Sequence, residues 1–347
     1  SSDLIIVKFV HSLYYAQMSE SSTTPTTYYN HLFNTAVIDV MIMLLCHDDI
    51  LNLLSVNKRA HQLFEYYRDN VFYVNVDMYK IHKREIPRQI KRVKTSNVAN
   101  IQSARFVVFD DGFNSPTHRD VISDTVTHIT FAQYFNQSVD MLPTSLTHLT
   151  IKNSENISFS DRFENMGFNQ HVDMLPISLV HLDLGCWFNK PINNLPRCLT
   201  YLKLGFTFDQ PVDHLPSSLI HLEFGQSFNQ SVDMLPTSLT YLEFGHYFNQ
   251  TIDKLPDNVS TLIIRGVFNQ CVEHLPPRVA YLSFGNRFNQ HVDRLPSTLT
   301  RLVFGRRFNK PVNRLPASLV HLEFGMDFDQ PVDHLPSSLI HLEFGQS

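Results

Sequence analysis

The chain has 347 residues, 43% of them hydrophobic and 18% charged, with a formal net charge of −5. That ordinary, mildly acidic balance fits a soluble protein and gives no general electrostatic case for nucleic acid. The longest apolar run, Val37 to Cys46, is broken by Asp39 and is far too short to span a bilayer, and four cysteines without paired metal spacing point to a reduced intracellular compartment.

Residues 1–33 form an N-terminal segment. Its opening, SSDLIIVKFVHSLYY, has one brief apolar stretch interrupted by Lys8 and no signal-peptide cleavage pattern. The first residue is not Met, so the sequence reads as a piece of a longer chain. Residues 34–79 read as two or three short helices. The stretch DVMIMLLCHDDILNLLSVNKRAHQLFEYYRDN places apolar residues at helical spacing, offers Asp48 or Asp49 as a cap, and contains no Gly or Pro.

Residues 80–112 read as a linker with degenerate first repeats. Lys80, Lys83, Arg84, Arg88, Lys91, Arg92 and Lys94 make a basic run that could touch nucleic acid. Ile86, Ile90 and Val93 interleave with it at repeat spacing, which favours a solvated first unit. IPRQIKRV echoes the later LPxSLxxL, and ARFVVFDDGF ends as the later units end, so the array is expected to begin near Ile86.

Phe113 and Phe135 open irregular units of 22 and 33 residues that fill 113–167. The second holds an insertion, ENISFSDRFENMG at 155–167, expected as a surface loop and a candidate binding feature. From Phe168 the period is a strict twenty residues: nine units, each opened by Phe, fill 168–347. A fixed period of this size marks a solenoid, in which each unit packs only on its neighbours.

Counted from that Phe, apolar residues recur at positions five, eight, twelve, fifteen and seventeen, as in Val172, Leu175, Leu179, Leu182 and Leu184. The alternation around positions thirteen to seventeen is a strand. Pro at position nine of every regular unit, with Pro191, Pro211, Pro311 and Pro331 at position four, excludes a regular helix from the return arm. That arm must be extended, turned or briefly 3₁₀. Gly at position eighteen suits a sharp turn after the strand, and its displacement to Gly266, behind Arg265, predicts a local irregularity. Asn or Asp at position two, beside the Phe, is placed to bond turn backbone groups that stacking would leave unpaired. Side-by-side units put parallel strands about 4.8 Å apart, so the regular array should span roughly 40 Å.

Positions fourteen and sixteen should face outward. Besides Thr261, Ile263, Ser283 and Val303 they read His181, Asp183, Tyr201, Lys203, His221, Glu223, Tyr241, Glu243, Tyr281, Arg301, His321, Glu323, His341 and Glu343, an aromatic and histidine stripe beside a largely acidic one. Such a face suits recognition of a target protein. The alternative is that these side chains are tolerated on a sheet and stack on their own kind. Neighbouring histidines also suggest a surface sensitive to mild acid. His321 and His341 lack a regular third ligand, so no metal site is expected. No cofactor is expected, and no nucleophile with its base, carboxylate pair or phosphate loop argues for an enzyme.

The units, with Phe-Asn, Leu-Pro, Ser-Leu and Leu-x-Phe-Gly in register, resemble the FNIP repeat, a short relative of the leucine-rich repeat. Pro stands at the fourth FNIP letter in four of the nine regular units. The preceding LLCHDDILNLLSVNKRAHQLF is similar to the second half of an F-box through Leu45, Asp48, Ile50, Leu51, Leu54, Val56, Lys58, Arg59 and Phe64, without the usual Leu-Pro-x-Glu opening. An F-box ahead of FNIP repeats resembles a family of giant-virus proteins. That resemblance implies an adaptor-binding surface at Leu45, Ile50, Leu51, Leu54 and Val56, a Skp-type adaptor and cullin ligase as partners, and an intracellular location, the host cytoplasm if viral. The alternative is a helical cap on the solenoid of a stand-alone scaffold. The expected architecture is therefore a leucine-rich-repeat-like solenoid with a parallel β-sheet and mostly non-helical return arms, preceded by a small helical F-box-like domain. Finally, Phe328 to Ser347 repeats Phe208 to Ser227 letter for letter, and no polar cap follows. Either the natural chain continues or this end meets another molecule.

Overall fold

A computed structural model describes residues 74–75, 92–95, 104–117, 122–152 and 167–345. The N-terminal segment, the F-box-like stretch with Leu45, Ile50, Leu51, Leu54 and Val56, most of the basic run and nearly all of the 155–167 insertion lie outside the described residues.

Among the described residues fourteen strands run in chain order. They are β1 (Val74–Asn75), β2 (Arg92–Thr95), β3 (Phe106–Phe109), β4 (His128–Phe131) and β5 (His148–Ile151), followed by one strand from each regular unit. Those nine are β6 (His181–Asp183), β7 (Tyr201–Lys203), β8 (His221–Glu223), β9 (Tyr241–Phe244), β10 (Thr261–Ile264), β11 (Tyr281–Phe284), β12 (Arg301–Val303), β13 (His321–Phe324) and β14 (His341–Phe344). They form one sheet in sequential order, and the pairing is parallel. Each unit position sits opposite the same position of its neighbour, as His181 opposite Tyr201 and Leu182 opposite Leu202. Two-residue β1 pairs with β2 inside the stretch read as helical and ahead of Ile86, so the sheet starts earlier than the repeat spacing suggests. A strand this short has no period to read.

Among the described residues the return arm contains no helix, only tight turns at unit positions six to seven, ten to eleven and nineteen to twenty. The prolines that recur in register sit within this turned path. Each position-nine Pro lacks an N–H, but its carbonyl accepts from the backbone N–H three residues on, as in Leu179 to Pro176 at 3.0 Å and Leu219 to Pro216 at 3.1 Å. The chain thus satisfies at the carbonyl what the ring forbids at the nitrogen.

The apolar positions named from the sequence are the core. Phe188, Leu199 and Leu202 are fully buried, while position eight is the shallowest rung, with Leu215 only partly buried against the core. Position-one rings stack at 5.9 to 6.1 Å along the array, as Phe168 on Phe188 and Phe228 on Phe248. The ladder crosses the long unit without a step: Phe135 lies 6.1 Å from Phe168 although the insertion separates them. An insertion is absorbed outside the rung because the rung itself needs only the five apolar positions.

Two further ladders explain polar and glycine positions. The side chain at position two accepts from the backbone N–H at position two of the next unit, as Asn189 N to Asn169 Oδ1 at 2.9 Å and Asn249 N to Asn229 Oδ1 at 2.9 Å. At position eighteen the constraint is close approach: a Cβ on Gly225 would lie 1.8 Å from the Gly205 carbonyl oxygen. Gly266 differs. With Arg265 occupying the usual position, Gly266 sits one residue later at φ 66°, a left-handed conformation that favours glycine. This is the irregularity the displaced glycine predicts.

Burial of a rung depends on having neighbours on both sides. Leu322 is 0% exposed in β13, whereas Leu342 is 41% exposed in β14.

Candidate interaction face

Strand alternation turns position fifteen inward and positions fourteen and sixteen outward, giving the half-buried, buried, half-buried sequence of β6, β7 and β8. Since the register never slips, outward side chains at position fourteen meet one another across every strand pair.

The result is a continuous stack of rings. The ring centre of His181 lies 4.1 Å from that of Tyr201, Tyr201 lies 4.5 Å from His221, and His221 lies 3.9 Å from Tyr241, all with nearly parallel planes. The stack also runs backward through His148, His128 and Phe106, at 5.3, 4.0 and 4.3 Å per step. These three residues were not part of the sequence-derived face. For the two histidines the signal is present in HIT and HLT, which match the HLD and HLE strands of the regular units, whereas FVV around Phe106 carries none. Thr127 and Thr147 hydroxyls lie 2.8 and 2.9 Å from the Nδ1 atoms of His128 and His148, which fixes ring orientation.

Thr261 ends this stack. Beyond it, the Arg301 guanidinium lies 5.3 Å from the centre of the Tyr281 ring, a cation–π contact, and Arg301 Nη2 bonds Glu323 Oε1 at 2.8 Å. His321 and His341 make a separate tilted pair at 5.2 Å, and His341 lies 3.5 Å from Glu343. The predicted face is therefore two groups: a connected one over β6 to β9 and a looser one over β11 to β14.

In the connected group Glu223 is the hub. Its Oε1 accepts from the Tyr201 hydroxyl at 2.9 Å and pairs with His221 Nε2 at 2.8 Å, while Oε2 meets Lys203 Nζ at 3.0 Å. One rung on, Glu243 accepts from Tyr241 at 2.8 Å and from Arg265 Nε at 2.7 Å. The sequence marks Arg265 only as a turn irregularity; its place behind the strand lets it reach this carboxylate.

These contacts set the protonation states. The His221 hydrogen bond, helped by Lys203 and Tyr201, holds the Glu223 carboxyl down at about 2 despite burial. Burial works against charge on Lys203, yet Glu223 holds its ammonium above the ordinary value. Burial first, then the adjacent carboxylates, pushes the Tyr201 and Tyr241 phenols up. Burial raises Asp183 to about 6, although the Gly185 N–H bonds its Oδ1 at 3.0 Å. Burial, then the neighbouring His148 and His221, lowers His181 to about 4, and burial also lowers His148. At neutral pH, His148 and His181 are uncharged rings beside a carboxylate and cation network that largely neutralises itself. A surface like this presents flat π faces with polar edges and little net field, which suits contact with protein side chains.

Among the described residues no three His, Cys, Asp or Glu side chains group as a metal ion would require, and no helix is long and apolar enough to cross a membrane.

Comparison with known proteins places this geometry. No curated protein matches the chain. Among solved structures, CroV588, described as a novel circular LRR protein, is 32% identical over 75% of this chain and 54% of its own, with a TM-score of 0.43. YopM from Yersinia enterocolitica is 20% identical over 75% of this chain and 65% of its own, with a TM-score of 0.49. An internalin, inlF, from Listeria monocytogenes is 16% identical over 70% of this chain and 75% of its own, with a TM-score of 0.49. The chain spans 54% and 65% of the first two of these structures. The FNIP Repeat model matches residues 113–154, 188–227, 208–247, 228–266, 288–327 and 311–347. These segments together cover just over half of the chain, and it belongs to the FNIP repeat family.

Proposed function

We propose that this chain is a non-catalytic adaptor: the strand face of its solenoid holds a target protein, and its N-terminal helices dock on a Skp-type adaptor of a cullin-based ubiquitin ligase. The observation that carries the first half is the unbroken ring stack from Phe106 to Tyr241, a flat amphipathic stripe held rigid by the register of the sheet. A rigid aromatic surface loses little side-chain freedom on binding, which is why such residues dominate protein contacts. The second half rests on the F-box-like pattern of Leu45, Ile50, Leu51, Leu54 and Val56 ahead of the repeats. The cell interior, where such ligases act, follows as the compartment.

Co-purification with a Skp-type adaptor tests it, comparing the chain with an Ile50→Asp, Leu54→Asp variant. Capture by the parent, lost in the variant while the melting of the repeats is unchanged, supports the receptor role. A second reading, a stand-alone scaffold whose helices cap the array, draws on β1, which joins the sheet ten residues after Phe64, the last residue of the F-box-like pattern. No capture by either chain, with earlier melting of the variant, selects that reading.

A further inference from the structure

Charge is distributed along the array in blocks. Residues 265–314 carry nine Lys and Arg against two Asp and Glu; residues 168–264 carry four against nine, and residues 315–347 none against five. A chain of net negative charge thus holds a short basic zone between two acidic ones.

The zone is concentrated on the turn edge that follows β10, β11 and β12. Arg287 and Arg307 occupy the last position of successive units, and their turns stack directly: Arg287 N bonds Gly266 O and Arg307 N bonds Asn286 O, both at 3.1 Å. Neighbouring rungs are about 4.8 Å apart, so the backbones of two arginines are held side by side. The outer arginines are compensated by the flanking acidic rungs: Arg265 takes Glu243 at 2.7 Å, and Arg306 takes Asp327 at 3.6 Å. Among the described residues the inner pair, Arg287 and Arg307, makes no ion pair, and both are exposed. Lys310 follows Arg307 by three residues in the same layer of the array. It replaces a glutamine that in other units bonds back to position two, as Gln290 Nε2 does to Asn269 O at 3.0 Å, and it too is unpaired among the described residues.

We infer that the turn edge at Arg287, Arg307 and Lys310 binds a short acidic segment of a protein partner. This rests on the reading of the array as a protein-binding surface and gives that partner a chemistry. Guanidinium forks match carboxylates in two-point geometry, and the two rungs that carry Arg287 and Arg307 lie roughly 5 Å apart, room for about two residues of an extended peptide. The acidic rungs on both sides limit the length of anion the edge accepts. A nucleic acid, charged continuously along its length, would be repelled as it left the zone.

Fluorescence anisotropy with a labelled oligoglutamate of about ten residues tests this at low salt, with a thymidine oligonucleotide of similar charge in parallel. Arg287→Glu with Arg307→Glu should weaken oligoglutamate binding by about tenfold or more. Lys190→Glu with Arg197→Glu, the same charge change in an acidic stretch, should alter it by less than about twofold, and the oligonucleotide should bind more weakly than the peptide. Equal weakening by both pairs, or no binding at low salt, overturns the inference. Tighter binding of the oligonucleotide also overturns it, making the edge a nucleic-acid surface. Self-association abolished by the Arg287 and Arg307 changes would instead assign the edge to a second copy. Adaptor capture does not involve these arginines, so failure here and failure of the ligase reading are separate results.

Discussion

The array carries two ladders of rings at one repeat spacing, and they obey different rules. Inside, phenylalanine stands at position one of every unit from Phe113 to Phe328, irregular units included. Outside, position fourteen changes from His to Tyr to Thr to Arg, and the stack stops at Thr261. Both columns sit on the same backbone, so register cannot explain the contrast. The inner ring is covered by a rung on each side and by the return arm, leaving room for one shape. The outer ring is covered by neighbours alone and can vary with what it contacts. The constant columns carry the core, and the variable ones are exposed to one side only.

The sharpest way to break this contrast is to remove one ring from each ladder. Phe248 is 0% exposed and stacks at 6.1 Å on both Phe228 and Phe268. Phe248→Ala should cost about 3–5 kcal/mol, the cavity adding to the lost transfer energy. Tyr241→Ala removes a half-buried ring, its 3.9 Å stack on His221 and its bond to Glu243, and should cost about 1 kcal/mol. Denaturant melting of the two variants checks the ratio. Equal losses would mean the outer stack holds the sheet together as much as the core does.

A smaller effect sharpens the claim for the polar ladder beside the inner rings. Asn229→Ala removes the acceptor of the Asn249 N–H at 2.9 Å and one partner of Gln250. Since this edge is exposed, water can replace part of the bond, and the loss should be about 1 kcal/mol. Asn229→Asp should restore most of it, because Asp209 already serves the same role toward the Asn229 N–H at 2.9 Å.

These ladders also show how far a sequence can be read. The features legible in the sequence are ones that recur once per unit, because repetition reveals a shared constraint: the five apolar positions, the turned proline arm, the position-two side chain and the glycine; the recurring bonds of the position-eleven serine and the position-three glutamine are not among them. Contacts made by single substitutions were not legible. Glu223 becomes a hub only because Tyr201, Lys203 and His221 converge from two strands, and nothing in the spacing of one unit announces that meeting. Arg265 reaches Glu243 through a displaced glycine whose oddity was visible but whose consequence was not. The worn strands with His128 and His148 hid because the period around them is irregular, although the strand letters matched.

The smallest expected effect concerns pH and separates two neighbours in β6. His181 has its folded pKa lowered to about 4 from 6.5, so unfolded chain takes up the proton first; the associated stability is complete above pH 6.5 and is lost as pH falls toward 4. Asp183 has its folded pKa raised to about 6 from 3.8, so its contribution is complete below 3.8 and is lost as pH rises through 6. The two windows overlap and the signs oppose, so acidification from pH 7 to pH 4.5 should move the parent melting temperature little on their account. Asp183→Asn deletes the compensating half and should make the variant lose more melting temperature than the parent over that interval. His181→Gln deletes the other half and should lose less. Both side chains remain partly exposed to solvent, which limits each difference to a few degrees at most. Identical pH profiles for the parent and both variants would mean that neither group titrates differently in the folded chain, and that the outer face, unlike the inner one, is indifferent to what its polar neighbours do.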